Sequence, residues 1–252
     1  MRGERRNFAT DIELQREALR QKPALRQLYA SWYAQCVEAF SEHRPTVEVG
    51  CGAGNFKTVF PSLIATDVLL GTGADVVADA MALPIGRGKA GNIVAFDVIH
   101  HLQRPLDFLR QSIDALKPGG RLVLCEPAMT VWARFLYRNF HHEPFDLDWP
   151  LFDLDGRAPD PDPEHRFTNQ AIPEILFWKE LQRTMAALPS CKLIAARKFG
   201  FLLYPLSGGY SARNLLPSRG LAMLIKAENW LMRPFARSLT GIRMLVVLQK
   251  TA

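Results

Sequence analysis

From residue 10 to residue 40 the apolar positions recur three and four residues apart, the period of one helix face. Leu25, Leu28, Tyr29, Trp32, Cys36 and Phe40 share one side; Thr10 or Asp11 can cap the helix, and Pro23 breaks or restarts it. Past a polar link at 41–45 the pattern changes to short apolar runs at 47–49, 63–66, 74–78, 93–96 and 122–125, each closed by Gly, Asp or Glu. Such runs read as buried strands. Leu102, Leu106, Leu109, Ile113 and Leu116 return to the helical period between the fourth and fifth runs, and Lys117-Pro118-Gly119-Gly120 ends that helix. A further helix is predicted after Gly54 to about residue 60, and residues 86–91 read as a polar loop.

Strands alternating with helices predict an α/β fold, a mostly parallel sheet covered on both faces. Right-handed crossovers place its ligand edge at the carboxyl ends of the strands, where Gly50, Asp67, Asp79, Phe96, Asp97 and Glu126 fall. After Pro127 the periodicity lapses, and residues 141–166, rich in Pro and Asp, read as an irregular excursion. Residues 170–188 are expected to be helical, 192–197 and 200–203 extended, 205–217 a loop, 218–236 an amphipathic helix and 242–248 the last strand.

The 252 residues are 48% hydrophobic, ample for one large core. The net charge of +6 is spread without a run of five Lys or Arg. It fits solubility, an anionic acceptor or weak attraction to an anionic membrane, and no aromatic-basic platform points to nucleic acid. The four cysteines are far apart and show no metal-ligand spacing, so no metal is expected and the reducing cytoplasm is the expected compartment. The N-terminus lacks the apolar segment of a signal peptide, and no run reaches the roughly 18 apolar residues of a membrane span.

The chemistry concentrates where the first strand meets Gly50, Gly52 and Gly54. Glycines there let a ligand approach the backbone closely. Asp67, ending the next strand, suits a ribose diol, because a carboxylate accepts from both hydroxyls. Asp79 ends the third strand and can accept from an exocyclic amine, with the Ala80 N–H beside it. Together they predict a nucleoside site. The third glycine comes one residue too early for a dinucleotide fingerprint, and Asn55 stands where that fingerprint wants Gly or Ala.

VEVGCGAGNF resembles the acid-x-G-x-G-x-G signature of class I S-adenosylmethionine-dependent methyltransferases, in particular the methyltransferase type 11 group. The likeness continues through ATDVL, ADAMALPI, IVAFDVIHHL and LKPGGRLVLCEP, strongly over residues 45–127, and extends to 242–248 as a last strand. GKAGN before the fourth strand departs from the family's S-F-D, Asn92 replacing its acid. The resemblance implies a Rossmann-like sheet of seven strands, an N-terminal helical cap over residues 1–44 and a methyltransferase domain over 45–252. Acceptor-side insertions are expected at 127–170 and 205–240; the latter, longer than a bare last hairpin needs, predicts a lid between the last two strands.

It implies S-adenosylmethionine as cofactor, held by Glu48, Gly50, Cys51, Gly52, Gly54, Asp67, Val68, Asp79, Ala80, Phe96, Asp97 and His101. The reaction implied is methyl transfer to an O, N or C atom of a small-molecule or lipid-like acceptor. Two alternatives stay open: intramolecular attack on the cofactor releasing methylthioadenosine, and non-catalytic binding. His101, His141 and Tyr210 are candidate catalytic groups. Tyr33, His100, His142 and Tyr210 are candidate acceptor contacts. Arg219, Lys226, Arg233 and Arg237 around the apolar stripe of 218–236 offer a peripheral membrane contact.

Overall fold

The computed structural model describes residues 8–140, 143–152, 167–217, 219–232 and 234–251. Seven strands form one sheet: β1 Thr46–Val49, β2 Ile64–Asp67, β3 Val76–Val77, β4 Ala90–Phe96, β5 Leu116–Pro127, β6 Cys191–Phe199 and β7 Arg243–Lys250. Their order is β3-β2-β1-β4-β5-β7-β6. β1 to β5 are mutually parallel, and β7 runs antiparallel between β5 and β6. The chain reverses direction across the sheet between β1 and β4, so the carboxyl ends of those strands open a crevice there.

Alternation along the strands sends successive side chains to opposite faces. Val94, Phe96, Val123, Cys125, Leu245 and Val247 pack under α2 (Pro23–Glu38), whose Leu25, Leu28, Tyr29, Trp32, Tyr33 and Cys36 are buried. α1 (Phe8–Gln21) precedes it, and Pro23 starts the second helix rather than kinking the first. Ile93, Ala95, Leu122, Leu124, Val246 and Leu248 face the other layer, with α3 (Pro105–Ala115) and the helical stretch after residue 171.

Several expected elements are revised. The helix after Gly54 is a single 3-10 turn, Asn55–Thr58, and no helix joins β2 to β3. Ile64, Val76 and Val77 are left exposed, and Ile64 and Val76 line an apolar groove of about 380 Å³ with Val47 and Ile85, remote from the glycine turn. The irregular reading after Pro127 missed α4 (Val131–Phe140), capped by Thr130 Oγ1 accepting from Ala133 N at 3.1 Å. The helix expected at 170–188 is α5 (Ile172–Glu174), a π turn at Ile175–Lys179 and α6 (Leu181–Ala186). Residues 200–203 are not a strand. Glu228 accepts from the Leu202 and Leu203 N–H groups and starts α7 (Leu203–Leu206). The single helix expected at 218–236 is two, α8 (Leu221–Leu231) and α9 (Pro234–Thr240), since a proline begins a helix more readily than it continues one.

Candidate active site

Each glycine of the turn is left-handed: φ is 70° at Gly50, 50° at Gly52 and 74° at Gly54. A Cβ on Gly54 would lie 2.8 Å from Gly73 Cα in the loop after β2, so two backbones touch where no side chain fits. Gly73 N donates to Gly52 O (3.2 Å) and Cys51 N to Thr66 O (3.0 Å), tying the turn to β2. α1 crosses above it, with Gln15 Oε1 near Gly52 and Arg16 donating to Gly71 O at 3.1 Å.

Asp67 is buried. One carboxylate oxygen accepts from Gly52 N (2.8 Å) and the other from Leu69 N (2.9 Å). Each oxygen keeps a further lone pair for a diol. Val68 beside it is exposed. Asp79 is exposed and caps the turn Ala80–Ala82 through Met81 N (2.8 Å), while Ala80 O accepts from Gln111. Glu48 is 3% exposed, and its Oε2 has no hydrogen-bond partner. Burial, with Asp67 nearby, pushes its carboxyl up to about 8. Burial likewise raises the Cys51 thiol to about 12, so it stays protonated.

Past β4 the backbone turns sharply: Asp97 has φ 59°, unusual for a residue with a side chain. Its carboxylate accepts from Arg243 Nη2 at 2.5 Å. The Arg243 guanidinium lies between the rings of Trp32 (4.8 Å) and Phe96 (4.6 Å). Glu126 at the end of β5 organises the next turn, Ile99–His101. Its Oε1 accepts from Val98 N (2.8 Å) and Ile99 N (2.9 Å), and its Oε2 lies 2.7 Å from His100 Nδ1. Both residues are buried; burial moves Glu126 up to about 8 and His100 down to about 4, so His100 carries no charge near neutrality. His101 is half-buried, its ring 4.0 Å from that of His100. The ligating atoms of His100, His101 and Glu143 all lie within 4.8 Å of one another.

Aromatic rings fill the adjoining space. Tyr29 packs on Phe96 (5.8 Å), Tyr210 (5.6 Å) and Tyr204 (6.4 Å). Tyr33 lies against Phe56 (4.6 Å) and Phe96 (4.9 Å), a packing position. Burial raises the phenols of Tyr29, Tyr33 and Tyr210 well above their ordinary value, which makes Tyr210 a donor at neutral pH and not a base. His141 and His142 lie outside the described residues. The structure thus gathers Glu48, the glycines, Cys51, Asp67 and Val68 at one end of the crevice, and Phe96, Asp97, His100, His101, Tyr29 and Tyr210 at the next strands. In the sequence Glu126 falls at the expected ligand edge without an assigned role, Glu143 stands beside His141 and His142, and Arg243 is not singled out. The available signal was a charge opening the otherwise apolar strand RMLVVL, and an acid closing LVLCE.

The family model described as a methyltransferase domain matches residues 20–171, more than half of the chain. No curated protein matches the sequence. Among solved structures, an S-adenosylmethionine-dependent methyltransferase from Archaeoglobus fulgidus is similar, with 13% identity, TM-score 0.52, and 90% of this chain and 94% of that one covered. A geranyl diphosphate C-methyltransferase from Streptomyces coelicolor A3(2), in complex with Mg2+, geranyl diphosphate and S-adenosylhomocysteine, is similar at 13% identity and TM-score 0.51, covering 90% and 80%. So is the [4+2]-cyclase SpnF, at 15% identity and TM-score 0.50, covering 90% and 82%. At such identities the likeness carries the fold alone.

Proposed function

Since the chain belongs to the methyltransferase domain family, whose cofactor is S-adenosylmethionine, we propose that it moves the cofactor's methyl group to an O, N or C atom of a small or lipid-like acceptor. The observation that carries this reading is the glycine turn with Glu48 beneath it. Left-handed glycines leave space for a ligand against the backbone, and the buried Glu48 carboxyl, protonated in the cofactor-free protein and with Oε2 unpartnered, would ionise against a cationic donor. S-adenosylmethionine fits both demands and, when bound, supplies a methyl group already activated on a positive sulfur.

The protein's part is then placement and exclusion of water. Gly50, Gly52 and Gly54 would line the methionine portion, Glu48 would meet its positive charge and Asp67 its ribose. Asp79 and Ala80 would lie toward the base. α1 above the turn shields it from solvent. Phe96 and the Asp97–Arg243 pair lie between this end and the packed rings of Tyr29, Tyr204 and Tyr210, toward which the acceptor would approach with Tyr210 as a hydrogen-bond donor. His101, backed by the His100–Glu126 pair, is the group to receive a proton from an acceptor hydroxyl or amine.

A lipid-like acceptor is supported by the outer surface. Phe140, Met223 and Trp230 are 77%, 75% and 71% exposed, and Arg138, Arg219 and Lys226 are exposed on or beside the same helices. α9 touches α4 and holds α8 through Arg237 donating to Asn229 O (3.2 Å). Apolar side chains edged by cations suit the interface of an anionic bilayer.

The test is product identity. Protein incubated with S-adenosylmethionine and a panel of hydroxylated acceptors, soluble and lipid-linked, should release S-adenosylhomocysteine with one or more of them. Methylthioadenosine as the product would favour the intramolecular reaction. Failure to bind S-adenosylmethionine at millimolar concentration would overturn both.

A further inference from the structure

Arg243 is a costly residue where it stands. It opens β7 ahead of an apolar run and is 5% exposed, with its guanidinium against the rings of Trp32 and Phe96. Replacing a buried ion pair by apolar side chains of similar size is often neutral or stabilising, so packing alone does not call for a cation here. Nor is the cation fully used. Nη2 donates to Asp97 Oδ1 (2.5 Å) and makes a long contact with Cys125 Sγ (4.0 Å), while Nε is buried without a hydrogen-bond partner. A buried N–H left unpaired costs stability, and a ligand that accepts from it restores the loss.

We propose that Arg243 binds a carboxylate group carried by the acceptor, with the hydroxyls of Tyr29, Tyr204 and Tyr210 around it. These residues come from three parts of the chain: Tyr29 from α2, Tyr204 from α7 and Tyr210 from the loop that follows. The ring of Tyr29 lies 5.6 Å from that of Tyr210 and 6.4 Å from that of Tyr204. Burial raises all three phenols and the nearby Arg243 charge opposes it, so each keeps its proton at neutral pH and can donate it. A guanidinium beside neutral phenols is a donor set for an oxyanion, and bonds to an ionised acceptor are the strong ones. Arg243 is the cation that acts on all three phenols. One positive charge, already shared with Asp97, suits a singly charged carboxylate better than a phosphate dianion.

The cluster reaches the surface at the loop after α7, where Asp97, Tyr204 and Tyr210 are half-buried while Tyr29 and Trp32 are buried. Lys22, between α1 and α2, holds that loop by donating to Gly209 O (2.8 Å) and Ala212 O (2.5 Å). Admitting a carboxylate to Nε requires the loop to give way. Such a handle fixes one end of the acceptor, so that the rest is aligned with the methyl group. The inference rests on the methyl-transfer reading for the role of the bound molecule as acceptor; the anion site itself is measured without turnover.

The test is calorimetric titration of the full-length protein with benzoate and octanoate, and with the neutral benzamide and octanamide, each with and without saturating S-adenosylhomocysteine. At least one carboxylate should bind saturably, one per chain, and at least tenfold more tightly than its amide. Arg243→Met should remove that preference, and Arg243→Lys, which keeps the charge and loses the planar fork, should retain part of it. Tyr210→Phe, at a half-buried position, should weaken the carboxylate and leave the amide nearly unchanged. Circular dichroism identifies any variant that fails to fold, and the wild-type comparison of carboxylate with amide stands without the variants. Saturable binding of neither carboxylate, equal affinity for carboxylate and amide, or an undiminished preference in folded Arg243→Met would overturn the proposal. Failure of S-adenosylhomocysteine to bind would count against the methyl-transfer reading instead, and the comparison made without it would still decide the anion site.

Discussion

Single positions in the glycine turn carry most of the cofactor argument, and they can be perturbed one at a time. Gly54→Ala puts a Cβ 2.8 Å from Gly73 Cα at φ 74°. The left-handed backbone alone costs a residue with a side chain about 1–2 kcal/mol, and the loop after β2 must also retreat. The expected outcome is a lower melting temperature together with at least tenfold weaker binding of S-adenosylhomocysteine. A stability loss with unchanged affinity would show that the turn is structural only. Glu48 makes a prediction in pH. Its carboxyl rises from 4.5 to about 8 on folding, so the protonated form belongs to the folded state. The stability it contributes is full below pH 4.5 and is lost as pH climbs through about 8. Melting of the cofactor-free protein should therefore fall between pH 5 and pH 9, and Glu48→Gln should flatten that fall. The same variant should bind S-adenosylmethionine more weakly, because an amide cannot offer a full charge to a cation.

On the proposed reading, secondary elements divide the work between holding the cofactor and admitting the acceptor. α2 is built into the core on one face, so truncation through residue 38 should unfold the protein and not merely uncap it. α1 has a lighter hold, Gln15 near Gly52 and Arg16 on Gly71 O. Arg16→Ala should lower the melting temperature by no more than about 2 °C, the equivalent of roughly half a kcal/mol in a chain of this size, while speeding cofactor release, read by stopped-flow fluorescence. α4 and α8 expose aromatic and aliphatic side chains beside Arg138 and Lys226. Sedimentation with vesicles containing phosphatidylserine should capture the wild-type protein, and Phe140→Ser with Trp230→Ser should lower capture. Binding that ignores both changes would remove these helices from any membrane role.

Across the whole molecule, the sheet was legible in the sequence because its strands are short apolar runs ended by Gly, Asp or Glu, and because the carboxyl edge collects those residues. The resemblance supplied the strand count and the cofactor. α4 was read over although Val131, Trp132, Phe135, Leu136 and Phe140 recur at the helical period; the stripe they form lies largely at the surface, with Val131, Phe135 and Phe140 exposed. The break between α8 and α9 was read over despite Pro234. The polar cluster could not be read at all from spacing. His100 meets Glu126 across neighbouring strands, Asp97 meets Arg243 across 146 positions, and Glu143 arrives from beyond α4. Such partners are set by sheet order, which places β7 beside β5. The account's central claim is that S-adenosylmethionine sits on the glycine turn and against Asp67. Its most direct test is calorimetric titration of S-adenosylhomocysteine into the wild-type chain and into Asp67→Ala. The predicted result is one site per chain in the wild type and at least tenfold loss in the variant. Equal affinity in both, or no heat in either, would contradict it.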